Sequence, residues 1–312
     1  MRLATLRVSA DLRPAVVLGD RVLDLVAARA RSGHARLLPG SLREILAAGE
    51  AGRELLDRVV EAASRRPDDF ADAMRPAAEA RFAAPLPEPR LVLSVGANYH
   101  AHLREMDTAP PETPMAFHKS VSSVIGPGET ILLPRAAPDM VDWEGELTVV
   151  MGKPCHEVSE ADALDHVAGY TIVNDVSARN WVKGAFRAEG MMGVIVAWEH
   201  NILGKLFPTF CPMGPVIVTA DEIPDPHALD IKTRLNGEVM QDSNTSDLVF
   251  DVRRIISYYS KFLTFQPGDV ITTGSPSGVG FGRKPQVFMK AGDVIEVEID
   301  RIGVLRNPVA AA

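Results

Sequence analysis

Between Val141 and Val150 the chain reads Val-Asp-Trp-Glu-Gly-Glu-Leu-Thr-Val-Val, placing carboxylates at 142, 144 and 146. In an extended strand successive side chains point to opposite faces, so Asp142, Glu144 and Glu146 share one face. Val141, Trp143, Leu147 and Val149 take or flank the other. Same-face neighbours lie roughly 6.5 to 7 Å apart, where three negative charges repel unless water screens them or a cation collects them. The segment reads either as an amphipathic strand with a solvated acidic face or as half of a metal site.

Two further groups bear on that choice. The apolar run Ala168 to Val173 ends in Asn174-Asp175, a carboxylate at the end of a buried strand. It can cap a helix starting at Val176, or join Glu144 and Glu146 as a third oxygen ligand. All-oxygen ligation without His or Cys suits Mg²⁺, Mn²⁺ or Ca²⁺, with positions left for water and a chelating substrate. Upstream, residues 95–106 begin at a strand end and enter a short helix in which His102 and Glu105 are three apart and share a face. A carboxylate beside a histidine orients it and raises its basicity, as a general base for water requires; an ordinary surface pair has the same spacing.

These residues need elements to hold them. Leu3 to Val8, Ala15 to Leu18 and Val22 to Leu25 read as short strands, followed by helical segments Ser41 to Ala48 and Ala51 to Ser64. Ser41 with Glu44 makes a capping box for the first of these helices. The proline-rich stretch Ala84 to Pro89 breaks regular structure, dividing a small N-terminal domain (1–85) from a catalytic domain (86–312). Beyond it come short runs punctuated by Gly and Pro: Leu91 to Val95, Val124 to Leu133, Trp143 to Val150, Gly169 to Val173, Pro215 to Val218, Asp230 to Leu235, Asp269 to Thr273 and Asp293 to Ile299. This texture predicts a β-rich α+β fold rather than a doubly wound sheet. Phe250 to Phe262 reads as a helix whose core stripe is Val252, Ile255, Ile256, Tyr259 and Phe262.

Composition narrows the partners. The 312 residues carry 33 Lys and Arg against 41 Asp and Glu, a net charge of -8, with no basic run longer than two, which argues against nucleic acid. No run of 18 apolar residues offers a membrane span, and no signal peptide is read at the N-terminus. Cys155 and Cys211 match no disulfide or metal spacing and read as reduced, buried thiols of a cytoplasmic protein.

Over about residues 90 to 308 the chain resembles the fumarylacetoacetate hydrolase family. The resemblance rests on six motifs in order: Gly96-Ala97-Asn98-Tyr99 with His102 and Glu105; Ser122-Ser123-Val124-Ile125-Gly126-Pro127; Glu144-Gly145-Glu146-Leu147; Asn174 to Arg179; Gly204-Lys205; and Thr273 to Gly280. It implies a mixed β-sandwich roll with a small N-terminal α/β domain, in a homodimer. It implies Glu144, Glu146 and Asp175 as ligands of Mg²⁺ (Mn²⁺ or Ca²⁺ as alternatives), His102 and Glu105 as a water-activating dyad on a lid, and Lys205 as a stabiliser of negative charge. Tyr99, Arg179, Gly274 and Ser275 match substrate-side positions; Arg179 either binds a substrate carboxylate or supports the strand end, and Ser275 stands where many members have Thr. Asp142 lies outside the triad, as a supporting residue.

The chemistry implied is metal-dependent hydrolysis of a carbon–carbon bond in a β-diketo acid through an enolate, with tautomerisation or decarboxylation of a 2-oxo or 2-hydroxymuconate-type diacid as the alternative. The partner is thus a small-molecule oxo acid. The chain departs from the family at Asn180, where most members have Asp, and in the 23 residues from Trp181 to Leu203. Met191, Met192, Val194, Ile195, Val196, Ala197 and Trp198 in that stretch either build a roomier apolar pocket wall or pack against a partner subunit or the N-terminal domain. His200 reads as a lone surface histidine.

Overall fold

The structure is a computed structural model that describes residues 1–181 and 188–312. The N-terminal part holds strands β1 (Arg2–Val8), β2 (Asp11–Leu18) and β3 (Arg21–Asp24), helices α1 (Gly33–Leu37), α2 (Leu42–Ala47) and α3 (Gly49–Arg65), and strands β4 (Met74–Pro76) and β5 (Phe82–Ala83). The middle holds β6 (Val92–Gly96), α4 (His100–Glu105), β7 (Met115–His118), β8 (Val124–Ile125), β9 (Ile131–Leu133) and β10 (Val141–Asp142). It continues with β11 (Gly145–Met151), β12 (Val167–Asn174), β13 (Ser177–Ala178) and α5 (Gly190–Leu203). The last part holds β14 (Cys211–Thr219), β15 (Asp230–Leu235), β16 (Glu238–Asn244), α6 (Val252–Ser260), β17 (Val270–Thr272), β18 (Val294–Ile299) and β19 (Gly303–Ala311).

Twelve strands form one sheet with the path β4-β3-β2-β1-β14-β12-β11-β17-β6-β7, while β5 pairs with β1 and β8 with β14. A second sheet runs β16-β15-β18-β19-β9, and β10 pairs with β13 alone. This is the expected β-rich α+β architecture. One face of the large sheet, through Leu147, Val149, Tyr170 and Ile172, packs on Ile231, Val297, Ile299 and the α6 residues Val252, Ile255 and Ile256. The opposite face, through Val92, Val150, Val173 and Ile217, packs on N-terminal Leu23, Leu42, Ile45, Leu56 and Phe70. The α6 stripe is as expected except at its end: the helix stops at Ser260, and Phe262 is exposed. The Ser41–Glu44 capping box is formed on α2.

Two expected strands are broken. Val124 to Leu133 divides into β8 and β9 around Gly126-Pro127-Gly128, since proline offers no ladder N–H. The acidic run divides at Trp143-Glu144, whose backbone N–H groups are taken by the side chains of Asp142 and Asn174 (2.9 and 3.0 Å) instead of by a neighbouring strand. The run is buried on both faces, which removes the solvated-face reading. Cys155 and Cys211 are free and buried, and burial pushes their thiols up to about 11 and about 12. Among the described residues no helix is long and apolar enough to cross a membrane.

Candidate metal centre and active site

Register brings the carboxylates together. Antiparallel β11 and β12 pair Gly145 with Asn174 and Glu146 with Val173, so Glu144 and Asp175 emerge side by side at one end of the large sheet. Asp175 N–H donates to Glu144 O at 2.8 Å, and strand β13 follows, so Asp175 caps no helix. One ligand oxygen from each of Glu144, Glu146 and Asp175 lies within 4.8 Å of the others, and all three residues are buried. These are the three residues the motifs single out.

The surrounding cations come from three directions. Lys205 Nζ, just past the end of α5, donates to Glu144 Oε2 at 2.6 Å and to Asp175 Oδ2 at 2.7 Å. Arg179 donates from Nη2 to Glu144 and from Nε to Asp142 Oδ2, the latter at 2.9 Å. Lys119, after β7, donates to Asp175 Oδ1 and to the Lys205 carbonyl (2.9 Å) with its side chain wholly buried. Glu146 has no cationic partner among these contacts; Gly274 N–H reaches its Oε2 at 2.9 Å.

Charge follows this wiring. Burial alone would raise the Glu144 carboxyl, but Lys205 and Arg179 outweigh it and hold the group below the usual carboxylate range. Burial, reinforced by the charges of Asp175 and Glu144, pushes Glu146 well above that range. Lys205 is driven down by burial and more than restored by Asp175 and Glu144, so its ammonium is stabilised. The four buried carboxylates (Asp142, Glu144, Glu146 and Asp175) thus meet three buried cations (Lys119, Arg179 and Lys205). The unmet demand for positive charge falls on Glu146, a buried member of an all-oxygen triad. That donor set fits a hard divalent cation, with Glu144, Glu146 and Asp175 as its ligands.

The dyad faces the same cavity. On α4, His102 Nδ1 and Glu105 Oε2 are 3.1 Å apart. An ionised carboxylate only accepts, so in the neutral imidazole Nδ1 carries the proton and Nε2 keeps the lone pair. A cavity of about 150 Å³ is lined by His102, Glu144, Glu146, Asp175, Arg179, Lys205 and Ser275, with Val95, Met115, Phe117, Trp198 and Asn201 among its walls. The Lys205 ammonium sits 5.3 Å from the Phe117 ring centre.

The other sequence-singled residues sort as follows. Ser275 lines the cavity, its hydroxyl taking Gln241 Nε2 at 2.8 Å. Tyr99 and Gly274 are not among the lining residues: Tyr99 is fully buried, its hydroxyl unpaired among the described residues, and burial with the charges of Glu146 and Asp247 raises it above the ordinary phenol value. Arg179 lines the cavity and also ties the strand end together through Asp142 and Glu144. Asp142, buried, accepts from Trp143, Gly280 and Phe281 N–H and from Arg179, outside the triad as anticipated.

Of the 181–203 stretch, residues 182–187 lie outside the described residues. Gly190–Leu203 forms α5, which brings Trp198 and Asn201 to the cavity while Met191, Met192, Val194, Ile195 and Val196 stay exposed. His200 stands edge-on to Trp181, ring centres 5.7 Å apart. Sequence reasoning missed Lys119 and Gln241, which no spacing signal marks. Asn98, quoted in the Gly96 to Tyr99 motif without a role, holds the Thr273 and Phe250 carbonyls through Nδ2.

Comparison with known proteins agrees with this geometry. Residues 91–310 match the family described as fumarylacetoacetate (FAA) hydrolase C-terminal. The chain is 39% identical over 313 residues to the mitochondrial oxaloacetate tautomerase fahd2 of Xenopus laevis, covering 99% of this chain and 90% of that one. A fumarylacetoacetate hydrolase from Exiguobacterium antarcticum superposes with a TM-score of 0.78 at 33% identity, with full coverage of both chains. Maleylpyruvate hydrolase from Sphingobium sp. SYK-6, solved with manganese(II) and pyruvate, superposes with a TM-score of 0.75 at 28% identity, again over 100% of both. The chain belongs to the fumarylacetoacetate hydrolase family and is an enzyme of that superfamily.

Proposed function

We propose that this enzyme interconverts the keto and enol forms of a short 2-oxo diacid of the oxaloacetate type, with Mg²⁺ or Mn²⁺ held by Glu144, Glu146 and Asp175. The observation that carries the reading is the cavity of about 150 Å³ in which His102 and the triad meet. That volume suits a four-carbon diacid better than a long acyl chain. The oxaloacetate tautomerase named among the relatives supports the same choice.

In the proposed reaction a C3–H bond breaks and an O–H bond forms, with no co-reactant. His102 Nε2 takes the proton while Glu105 accepts from Nδ1 and steadies the imidazolium. Negative charge then develops on the 2-oxo oxygen, and the Lys205 ammonium, only 5% exposed, stabilises it in a site from which bulk water is largely excluded. The bound ion would contribute Lewis acidity toward the carboxylate and oxo oxygens of the substrate. The His102 imidazolium then delivers the same proton to the 2-oxo oxygen, completing the O–H bond, and the reverse direction retraces both transfers.

Hydrolysis of a carbon–carbon bond is the second reading, favoured by the similarity to maleylpyruvate hydrolase and by a dyad equally able to activate water. One panel separates the two. Enol absorbance and product identity are followed with oxaloacetate, acylpyruvates and a hydroxymuconate-type diacid in added Mg²⁺ or Mn²⁺. Rapid loss of oxaloacetate enol without cleavage is expected, and His102→Ala should lose turnover while still binding Mn²⁺ by calorimetry. Release of two acids from an acylpyruvate at higher kcat/KM would replace this reading with the hydrolase.

A further inference from the structure

Residues Gly274 to Arg283 touch both halves of the site. On one side Asp142 accepts from Gly280 N–H (2.6 Å) and Phe281 N–H (3.0 Å), and the Trp143 indole N–H reaches the Gly278 carbonyl at 3.3 Å, fastening the loop to the run that carries Glu144. On the other side Gly278 N–H donates to the Glu105 carboxylate, at 3.1 and 3.2 Å from its two oxygens. Gly278 has φ +96°, and a side chain there would meet the Met240 carbonyl at 2.1 Å. At Gly282 a Cβ would lie 2.7 Å from Glu105 Cδ and 2.9 and 3.1 Å from its oxygens. The three nearest atoms to that position all belong to Glu105, and its φ lies outside the glycine-only range.

We propose that this loop is the seat of the His102–Glu105 dyad: the space left by Gly282 and the amide of Gly278 fix the Glu105 carboxylate, and Asp142 ties that seat to the metal-binding strand. Gly278, Gly282 and Asp142 are positioning residues. The dyad helix has only six residues; Ala101 N–H ties its first turn to Asp247 Oδ2 at 2.8 Å, and Glu105 joins its last turn to this loop. The carboxylate thus serves twice, orienting His102 and docking the end of the helix that carries it. The inference rests on the proposed proton-transfer role of His102.

Gly282→Ala tests it, because the added methyl conflicts with the far end of one flexible side chain and with no backbone atom. The variant should lose roughly tenfold to a hundredfold in kcat, the size of a misplaced general base. KM, Mn²⁺ affinity and Tm should stay near wild type. In a Glu105→Ala background the same substitution should cost less than about twofold, because interacting residues are non-additive. Hydrogen exchange at the Gly278 amide should accelerate in Gly282→Ala and in Glu105→Ala alike. An equal loss with and without Glu105, or unchanged Gly278 exchange in both variants, would overturn the seat. If the wild-type enzyme turned over none of the oxo acids, the functional reading would fall, and the Gly278 exchange would still decide the docking.

Discussion

Lys119 shows how the charges of the site are distributed. Its ammonium has no exposed side-chain surface and two fixed acceptors, Asp175 and the Lys205 carbonyl, so it serves the carboxylate cluster and not the solvent. Substituting Lys119→Met should lower stability without added metal by about 3 kcal/mol, the low end for breaking a buried pair, because Asp175 keeps Lys205. Two effects then compete for Mn²⁺. Losing a group that orients a ligand commonly weakens affinity 10- to 100-fold, about 1.4 to 2.8 kcal/mol; removing a unit charge close to a divalent ion strengthens it by several kcal/mol. The Coulomb effect prevails while Lys205 still holds Asp175, so saturating Mn²⁺ should raise Tm more in the variant than in the wild type. A smaller shift in the variant would show that orientation dominates. The triad, Lys205 and the dyad were legible because their types sit in recognisable order, whereas Lys119 follows an apolar strand as any surface lysine would.

At the level of elements, the site depends on where strands begin and end, and sequence periodicity reads such ends poorly. The acidic run predicts one alternating strand, yet side-chain oxygens of Asp142 and Asn174 capture the Trp143 and Glu144 amides and break it there. That break turns Asp142 toward Arg179 and the 280–281 backbone and away from the triad. The start of β17 carries a similar polar feature. Asp269 is buried just before the strand; its Oδ2 accepts from Gln266 N–H at 2.8 Å, while Oδ1 has no hydrogen-bond donor among the described residues and Arg90 Nε stands 3.8 Å from it. Burial raises this carboxyl above its ordinary value, more than the Gln266 N–H, Arg90 and Arg43 lower it. The folded state therefore holds the proton more tightly than the unfolded one, and the residue costs stability as pH rises from the ordinary carboxylate range through the raised folded value. Asp269→Asn keeps the acceptor for Gln266 and removes the buried charge. It should stabilise the protein by about 1 kcal/mol at neutral pH, with the gain fading toward pH ~4. Denaturant melts across that range check both the sign and the window.

Across the whole molecule, the large sheet continues past the proline-rich stretch at 84–89. Strand β1 pairs with β14 through Arg2 with Val218 and Leu3 with Ile217, and the N-terminal meander extends the sheet that carries the triad. Helices α2 and α3 cover the face of that sheet opposite α6, through Leu42, Ile45, Leu56 and Val59 against Val92, Val150, Val173, Met213, Ile217 and Val270. Composition marks the boundary near residue 85, because prolines are visible there, but pairing between distant strands leaves no local trace. The family match over 91–310 coexists with this shared core. A fragment of residues 86–312 would bare those six sheet residues and the edge of β14. At ~1.5 to 3 kcal/mol for each apolar side chain returned to water, the loss is about 9 to 18 kcal/mol, as large as the entire stability of a typical domain. The exposed edge also offers unpaired N–H and C=O groups to other chains. The fragment should aggregate, or bind a hydrophobic dye and lose its near-ultraviolet signal, even with saturating Mn²⁺. A monodisperse fragment that melts cooperatively and binds Mn²⁺ like the full chain would show instead that residues 1–85 are a removable attachment, and the metal strands would then owe their order to the five-stranded sheet alone.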